Sequence, residues 1–243
     1  MTFPAFTPSQ QLEPITTGAE PEVVGPLLAQ VLHDPRWQKC QVALISGGRS
    51  NLTYRVACDA GEVVLRRPPL GHVLPTAHDM AREYRVQSAL AGSGVPVPRT
   101  MYLAASADDS VLGSPFYLME RVVGHICRTE LPPGYAPTPP ERAAIGEALV
   151  ATLARLHATD PAEVGLADFG RPEGYLERQL RRWSRQWDST KVDDLPALDA
   201  LRDELAATLP VSRPAAIVHG DFRIDNTILH PTRPGQIVAV LDW

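Results

Sequence analysis

The sequence predicts an α+β fold in two lobes: a small antiparallel sheet with one helix, then a mainly helical lobe. Three observations predict it. Between residues 36 and 122, five short β-prone runs are separated by turn-forming residues, with one helical pattern between the third and fourth. From about 140 to 209, apolar residues recur at helical spacing. The last stretch, IVHGDFRIDNTILHPTRPGQIVAVLDW from Ile217 to Trp243, returns to β-prone runs around closely spaced polar residues. The expected division is a tail and helix over 1–35, the β-rich lobe over 36–122, and the helical lobe with its polar hairpin over 123–243.

The elements follow in order. Residues 1–18 are polar and Pro-rich and read as a loosely held tail. Val23, Val24, Leu27, Leu28, Val31 and Leu32 predict an amphipathic helix over 20–33; Pro21 suits its first turn, and Pro26 is awkward inside it. Strands are expected at 41–45, 52–58 and 62–67. Ser46-Gly47-Gly48-Arg49-Ser50-Asn51 turns between the first two, and Asp59-Ala60-Gly61 closes the second hairpin. A helix follows over 79–90, ended by Gly92, Gly94 and Pro96. Residues 97–104 and 114–122 complete a five-stranded sheet.

A Pro-rich connection leads to the clearest helix, over 140–157. Helices over 175–187 and 195–209 come next. The first carries Arg178, Arg181, Arg182 and Arg185 as an expected solvated face, with Trp183 and Trp187 as an expected packed pair. Strands at 215–218, 227–229 and 237–241 close the chain, the last two paired through a turn over 231–235.

Composition excludes several classes. The 243 residues are enough for one large domain or two lobes, and 44% hydrophobic with 21% charged residues is ordinary for a globular chain. Net charge is −5 with no long basic run, so no nucleic-acid partner is expected. No apolar segment is long enough to span a membrane. Cys40, Cys58 and Cys127 form no C-x-x-C pair or metal pattern, and the first residues, MTFPAFTPSQQ, do not read as a signal peptide. A reducing cytoplasm is the expected location. The oligomeric state is left open.

The chemistry lies in the last stretch. His219, Asp221 and Asn226 follow H-x-D-x-x-x-x-N, the spacing of a protein-kinase catalytic loop, with Gly220 where that loop has Arg. Asp221 can orient an attacking hydroxyl and accept its proton. Asn226, and Asp242 at the end of the paired strand, can hold Mg²⁺ on ATP, since that ion takes hard oxygens with few from protein. His219 is expected to brace the loop. Two other readings stand beside this one: an exposed polar loop, and a hydrolase metal site built from His219, Asp221 and Asp225.

The rest of a kinase-like fold falls into place upstream. The turn containing Gly48, Ser50 and Asn51 can lay backbone N–H groups over phosphates, although an ordinary hairpin reads the same way. Arg66 stands where the kinase V-A-I-K strand has its phosphate-binding Lys; it keeps the charge but is not equivalent. Arg67 points to the other face. Glu83 is the candidate helix carboxylate that pairs with Arg66, with Asp79 as runner-up. Backbone groups of Glu120, Arg121 and Val122 would meet the adenine edge. Asp168-Phe169-Gly170 spells the kinase DFG triplet but lies upstream of the catalytic loop, so it reads as a turn.

HGDFRIDN followed by LDW resembles the aminoglycoside phosphotransferase-like kinase family. It is closest to the branch related to the kinase domains of acyl-CoA dehydrogenase family members 10 and 11. L-R-R-P-P at 65–69, G-Y-x-x-R-Q from Gly174 and R-W-x-x-Q from Arg182 match that branch. The resemblance implies a small-molecule hydroxyl acceptor, a hydroxyacyl-CoA or hydroxy acid, with aminoglycosides as runner-up. It also implies an acyl-CoA dehydrogenase partner, fused or separate. Family members continue past LDW, so a fragment with an incomplete helical lobe is expected. A silent nucleotide-binding regulatory module is the rival: Arg66 and the irregular turn favour it, and Asp221, Asn226 and Asp242 oppose it.

Overall fold

The computed structural model describes residues 12–13, 17–45, 51–70, 79–211 and 215–243. It divides into two compact units: Met1–Leu156 with Val218–Trp243, and His157–Ile217.

The first unit is built on a sheet of order β1-β2-β3-β4-β6-β5, antiparallel throughout. Its strands are β1 (Leu12–Glu13), β2 (Gln41–Ile45), β3 (Leu52–Cys58), β4 (Gly61–Arg67), β5 (Thr100–Ala104) and β6 (Phe116–Glu120). Five were expected. The sixth, β1, comes from the tail read as loose and pairs with β2 through Leu12↔Ile45 and Glu13↔Leu44. Backbone pairing supplies that strand, and a polar, Pro-rich composition gives no sign of it.

Alternation along the strands sorts side chains onto two faces. Val63 and Leu65 of β4, with Phe116 and Leu118 of β6, join a core with Val24 and Leu28 of α1 (Pro21–Val31) and Trp37 of a 3-10 turn over Pro35–Lys39. Val64, Tyr117 and Met119 face the other way and pack with Met80 of α2 (Met80–Leu90). Arg66 shares the α2 face with Val64. Arg67 lies on the α1 face, buried, and donates to the Gly18 carbonyl. Pro26 sits inside α1. Asp79 is the N-cap of α2: its carboxylate accepts from the Arg82 N–H at 2.9 Å.

The unit continues into α3 (Pro139–Ala158), which buries Ile145, Thr152 and Leu156, and ends in a hairpin of β7 (Thr227–Leu229) and β8 (Ile237–Val240). The strand expected at 215–218 is absent. Ile217 alone of those residues is buried and Val218 is 73% exposed, so an apolar run here finds no strand to pair with.

The second unit holds α4 (Tyr175–Thr190) and α5 (Pro196–Ala207), neither with a buried residue. The expected Trp pair is not a packed one: Trp183 is 58% exposed. Asp168-Phe169-Gly170 lies in a turn. Among the described residues, no helix is long and apolar enough to cross a membrane.

Candidate active site

Three strands and one helix converge on Arg66. The β3–β4 register sets Thr53 opposite Arg66, and the β4–β6 register sets Tyr117 opposite it on the other side. Glu83, one turn into α2, faces this row. Arg66 Nε donates to Glu83 Oε2 at 2.7 Å, a terminal nitrogen reaches Thr53 Oγ1 at 3.3 Å, and the other meets Asp242 Oδ1. Glu83 also accepts from Asn51 Nδ2 at 2.7 Å and from the Tyr117 hydroxyl at 3.2 Å. Burial raises the Glu83 carboxyl above its usual range, and the Arg66 guanidinium opposes that rise. Burial alone would lower the Arg66 value; Glu83, Tyr117 and Asp242 raise it instead. The guanidinium is thus a fixed cation held by carboxylates from two parts of the chain.

The hairpin brings in the second group. Asp242 follows β8 with φ of +66°, left-handed backbone that a non-glycine residue adopts rarely and Asp tolerates better than most. The Leu241 N–H bonds the Asn226 carbonyl at 2.8 Å, which carries the strand pairing from Thr227↔Val240 up to the polar loop. Asn226 Nδ2 donates to the Asp221 carbonyl at 2.9 Å and to Asp221 Oδ2 at 3.0 Å. His219 joins loop to strand: Nε2 lies 2.8 Å from the Leu241 carbonyl, and Nδ1 accepts from the Asp221 N–H at 3.2 Å. The carbonyl can only accept, so Nε2 carries the proton and the ring is neutral. Burial lowers the His219 pKa, in agreement. The Phe222 and Trp243 rings flank it. Gly220, where the kinase loop has Arg, sits at φ of +87°, a conformation that suits glycine.

Known proteins resemble this chain in sequence and fold. A model of the phosphotransferase enzyme family matches residues 41–243. The chain belongs to the phosphotransferase enzyme family. Acyl-CoA dehydrogenase family member 11 of Gallus gallus is 43% identical over 199 residues, covering 82% of this chain and 25% of that one. Acyl-CoA dehydrogenase family member 10 of Mus musculus is 40% identical over 196 residues, covering 81% and 18%. The chain thus spans a quarter or less of these two curated relatives. Among solved structures, one from Ralstonia eutropha JMP134 assigned as an aminoglycoside phosphotransferase superposes with a TM-score of 0.76 at 35% identity, covering 91% of this chain and 64% of that one. The streptomycin–ATP ternary complex of APH(2")-IIa superposes with a TM-score of 0.60 at 18% identity over 91% and 69%, a likeness of fold alone.

Against this phosphotransferase fold the expected residues separate. Arg66, Glu83 and Asp242 meet directly, and His219, Asp221 and Asn226 form a second connected set. Gly48 and Ser50 lie outside the described residues. Asn51 is buried and turns its amide to Glu83. The Glu120 N–H bonds the Arg99 carbonyl at 2.8 Å, so that one N–H is engaged within the protein; the Arg121 side chain meets Glu62 at 2.8 Å. The hydrolase reading fails: both His219 ring nitrogens are engaged, Asp225 pairs with Arg223 at 2.9 Å, and no metal-holding group of three His, Cys, Asp or Glu occurs among the described residues.

Two carbonyl-type oxygens fit Mg²⁺ instead. The Asn226 amide nitrogen is engaged by its two bonds to Asp221, which leaves Oδ1 as its acceptor atom, and Asp242 supplies a carboxylate. Thr53 and Tyr117 were not singled out from the sequence. A two-residue turn at Asp59-Ala60 fixes Cys58↔Gly61, and counting back along that hairpin gives Thr53↔Arg66. Nothing local gives Tyr117, because β4 and β6 are far apart in sequence.

Proposed function

We propose that the chain is an ATP- and Mg²⁺-dependent phosphotransferase that acts on a small-molecule hydroxyl. The observation that carries this reading is the Arg66 guanidinium held between Glu83 and Asp242, beside a loop in which Asn226 grips Asp221. Asp221 Oδ2 is occupied by Asn226, so Oδ1 is the oxygen proposed to accept the proton of the attacking hydroxyl. Arg66 would neutralise phosphate charge, with Glu83 fixing its orientation; Asn51, Thr53 and Tyr117 hold that pair. His219 braces the loop against β8. Asn226 and Asp242 would hold Mg²⁺, which when bound spreads the charge that develops on the phosphates. Residues 120–122 would meet the adenine edge, and Gly48 and Ser50 the phosphates.

The proposed acceptor is a hydroxyacyl-CoA or a hydroxy acid. The names of the curated relatives support that choice and also support an acyl-CoA dehydrogenase partner, fused or separate. Three free cysteines support a reducing cytoplasm. Incubation with γ-labelled ATP and Mg²⁺ against hydroxy acids, hydroxyacyl-CoA and aminoglycosides tests the reading. Label should move to a hydroxyl of the first two classes. Transfer to aminoglycosides alone would overturn the acceptor, and transfer to none would overturn the function.

A further inference from the structure

The chain leaves the sheet at Glu120 and reaches the hairpin that carries Asn226 and Asp242 within five residues. His125 and Leu229 exchange both backbone bonds, each at 2.9 Å, so His125 acts as a one-residue strand on the outer edge of β7. The opposite edge is held by a bond from the Val240 N–H to the Pro96 carbonyl at 2.8 Å. Side chains reinforce the His125 contact. His125 is 7% exposed, and its Nε2 lies 3.1 Å from the Pro231 carbonyl, an acceptor only, so Nε2 carries the proton. Tyr135 meets the His125 ring edge-on at 4.7 Å, and its hydroxyl donates to the His230 carbonyl at 2.7 Å. Gly124 permits the close approach: a Cβ there would overlap the Leu229 carbonyl oxygen and the Ile228 side chain.

We infer that Gly124, His125 and Tyr135 are positioning residues that clamp the hairpin bearing Asn226 and Asp242 at a fixed spacing from residues 120–122. The inference rests on the phosphotransfer reading above. Only Arg121, Val122 and Val123 separate Glu120 from the clamp. A hairpin free to slide would carry both metal oxygens with it, and a shift of about 1 Å costs on the order of a hundredfold where reaction depends on alignment. The clamp acts through backbone and turn, not through the reacting atoms.

The test uses the whole chain and the nonhydrolysable analogue AMP-PNP, with its affinity measured with and without Mg²⁺. Affinity without the ion reports residues 120–122 and Arg66; the gain on adding it reports Asn226 and Asp242. Gly124→Ala and His125→Leu should cut the Mg²⁺ gain by about 10–100-fold, the range for partners that orient metal ligands, and leave Mg²⁺-free affinity unchanged. The Leu229 amide should exchange with solvent faster in Gly124→Ala. His125→Gln, which can present an N–H where Nε2 stands, should restore most of the gain, and Tyr135→Phe should lose less of it. An unchanged gain in Gly124→Ala and His125→Leu would overturn the inference. So would equal loss of both affinities with a lowered unfolding midpoint, the mark of a stability brace. A wild-type protein with no Mg²⁺ gain would sink the metal reading first, and this inference with it.

Discussion

His219 holds two backbone groups with its two ring nitrogens, and only the neutral ring can do both. Protonating Nδ1 would set an N–H against the Asp221 N–H. Burial keeps the folded pKa below the ordinary 6.5. As pH falls, the unfolded chain therefore takes up this proton first. The stability contributed by neutral His219 is fully present above pH 6.5 and is lost as pH drops below that value toward the folded one. His219→Gln keeps a donor for Leu241 and does not titrate. Chemical unfolding from about pH 7 down to about pH 5 should show a shallower fall for that variant than for the parent. Parallel curves would mean that His219 titrates alike in both states. At this scale the sequence was informative for types and poor for partners. H-x-D-x-x-x-x-N announced His219, Asp221 and Asn226. It did not show that Asp242 would close on Arg66 from a left-handed backbone, because that needs the hairpin and the sheet together.

The element that aims Glu83 is α2, and Gln87 fixes its pitch. Gln87 is 1% exposed; its Nε2 donates to the Pro98 carbonyl at 2.8 Å and lies 3.4 Å from Met119 Sδ. It stands four residues after Glu83, on the same face. Gln87→Met keeps a side chain of similar length but leaves the Pro98 carbonyl without this donor. Urea unfolding should show a loss of about 1–3 kcal/mol, the cost of a buried acceptor left unmade. A neutral result would mean that water replaces the amide. Strand and helix patterns located α2 and the five main strands to within a few residues, because alternation and 3.6-residue periodicity are written locally. The two-residue β1, the His125 contact with β7 and the missing strand at 215–218 were not legible. Each depends on a backbone partner distant in the chain.

On the scale of the molecule, the first unit gathers every described residue of the candidate site from segments as far apart as Asn51 and Asp242. The fold class was readable because motif order, from turn to strand cation to helix carboxylate to catalytic loop, repeats the order of the elements. Thr53 was recoverable from hairpin arithmetic. Tyr117, on a strand paired at long range, was not. The central claim is that this constellation transfers a phosphoryl group with Asp221 as base. The most direct measurement is transfer from γ-labelled ATP to the accepted hydroxyl compound by the Asp221→Asn protein, with ATP binding measured on the same sample. The account predicts a fall in transfer of at least about a hundredfold, with binding largely kept. Transfer at the parent rate would contradict it.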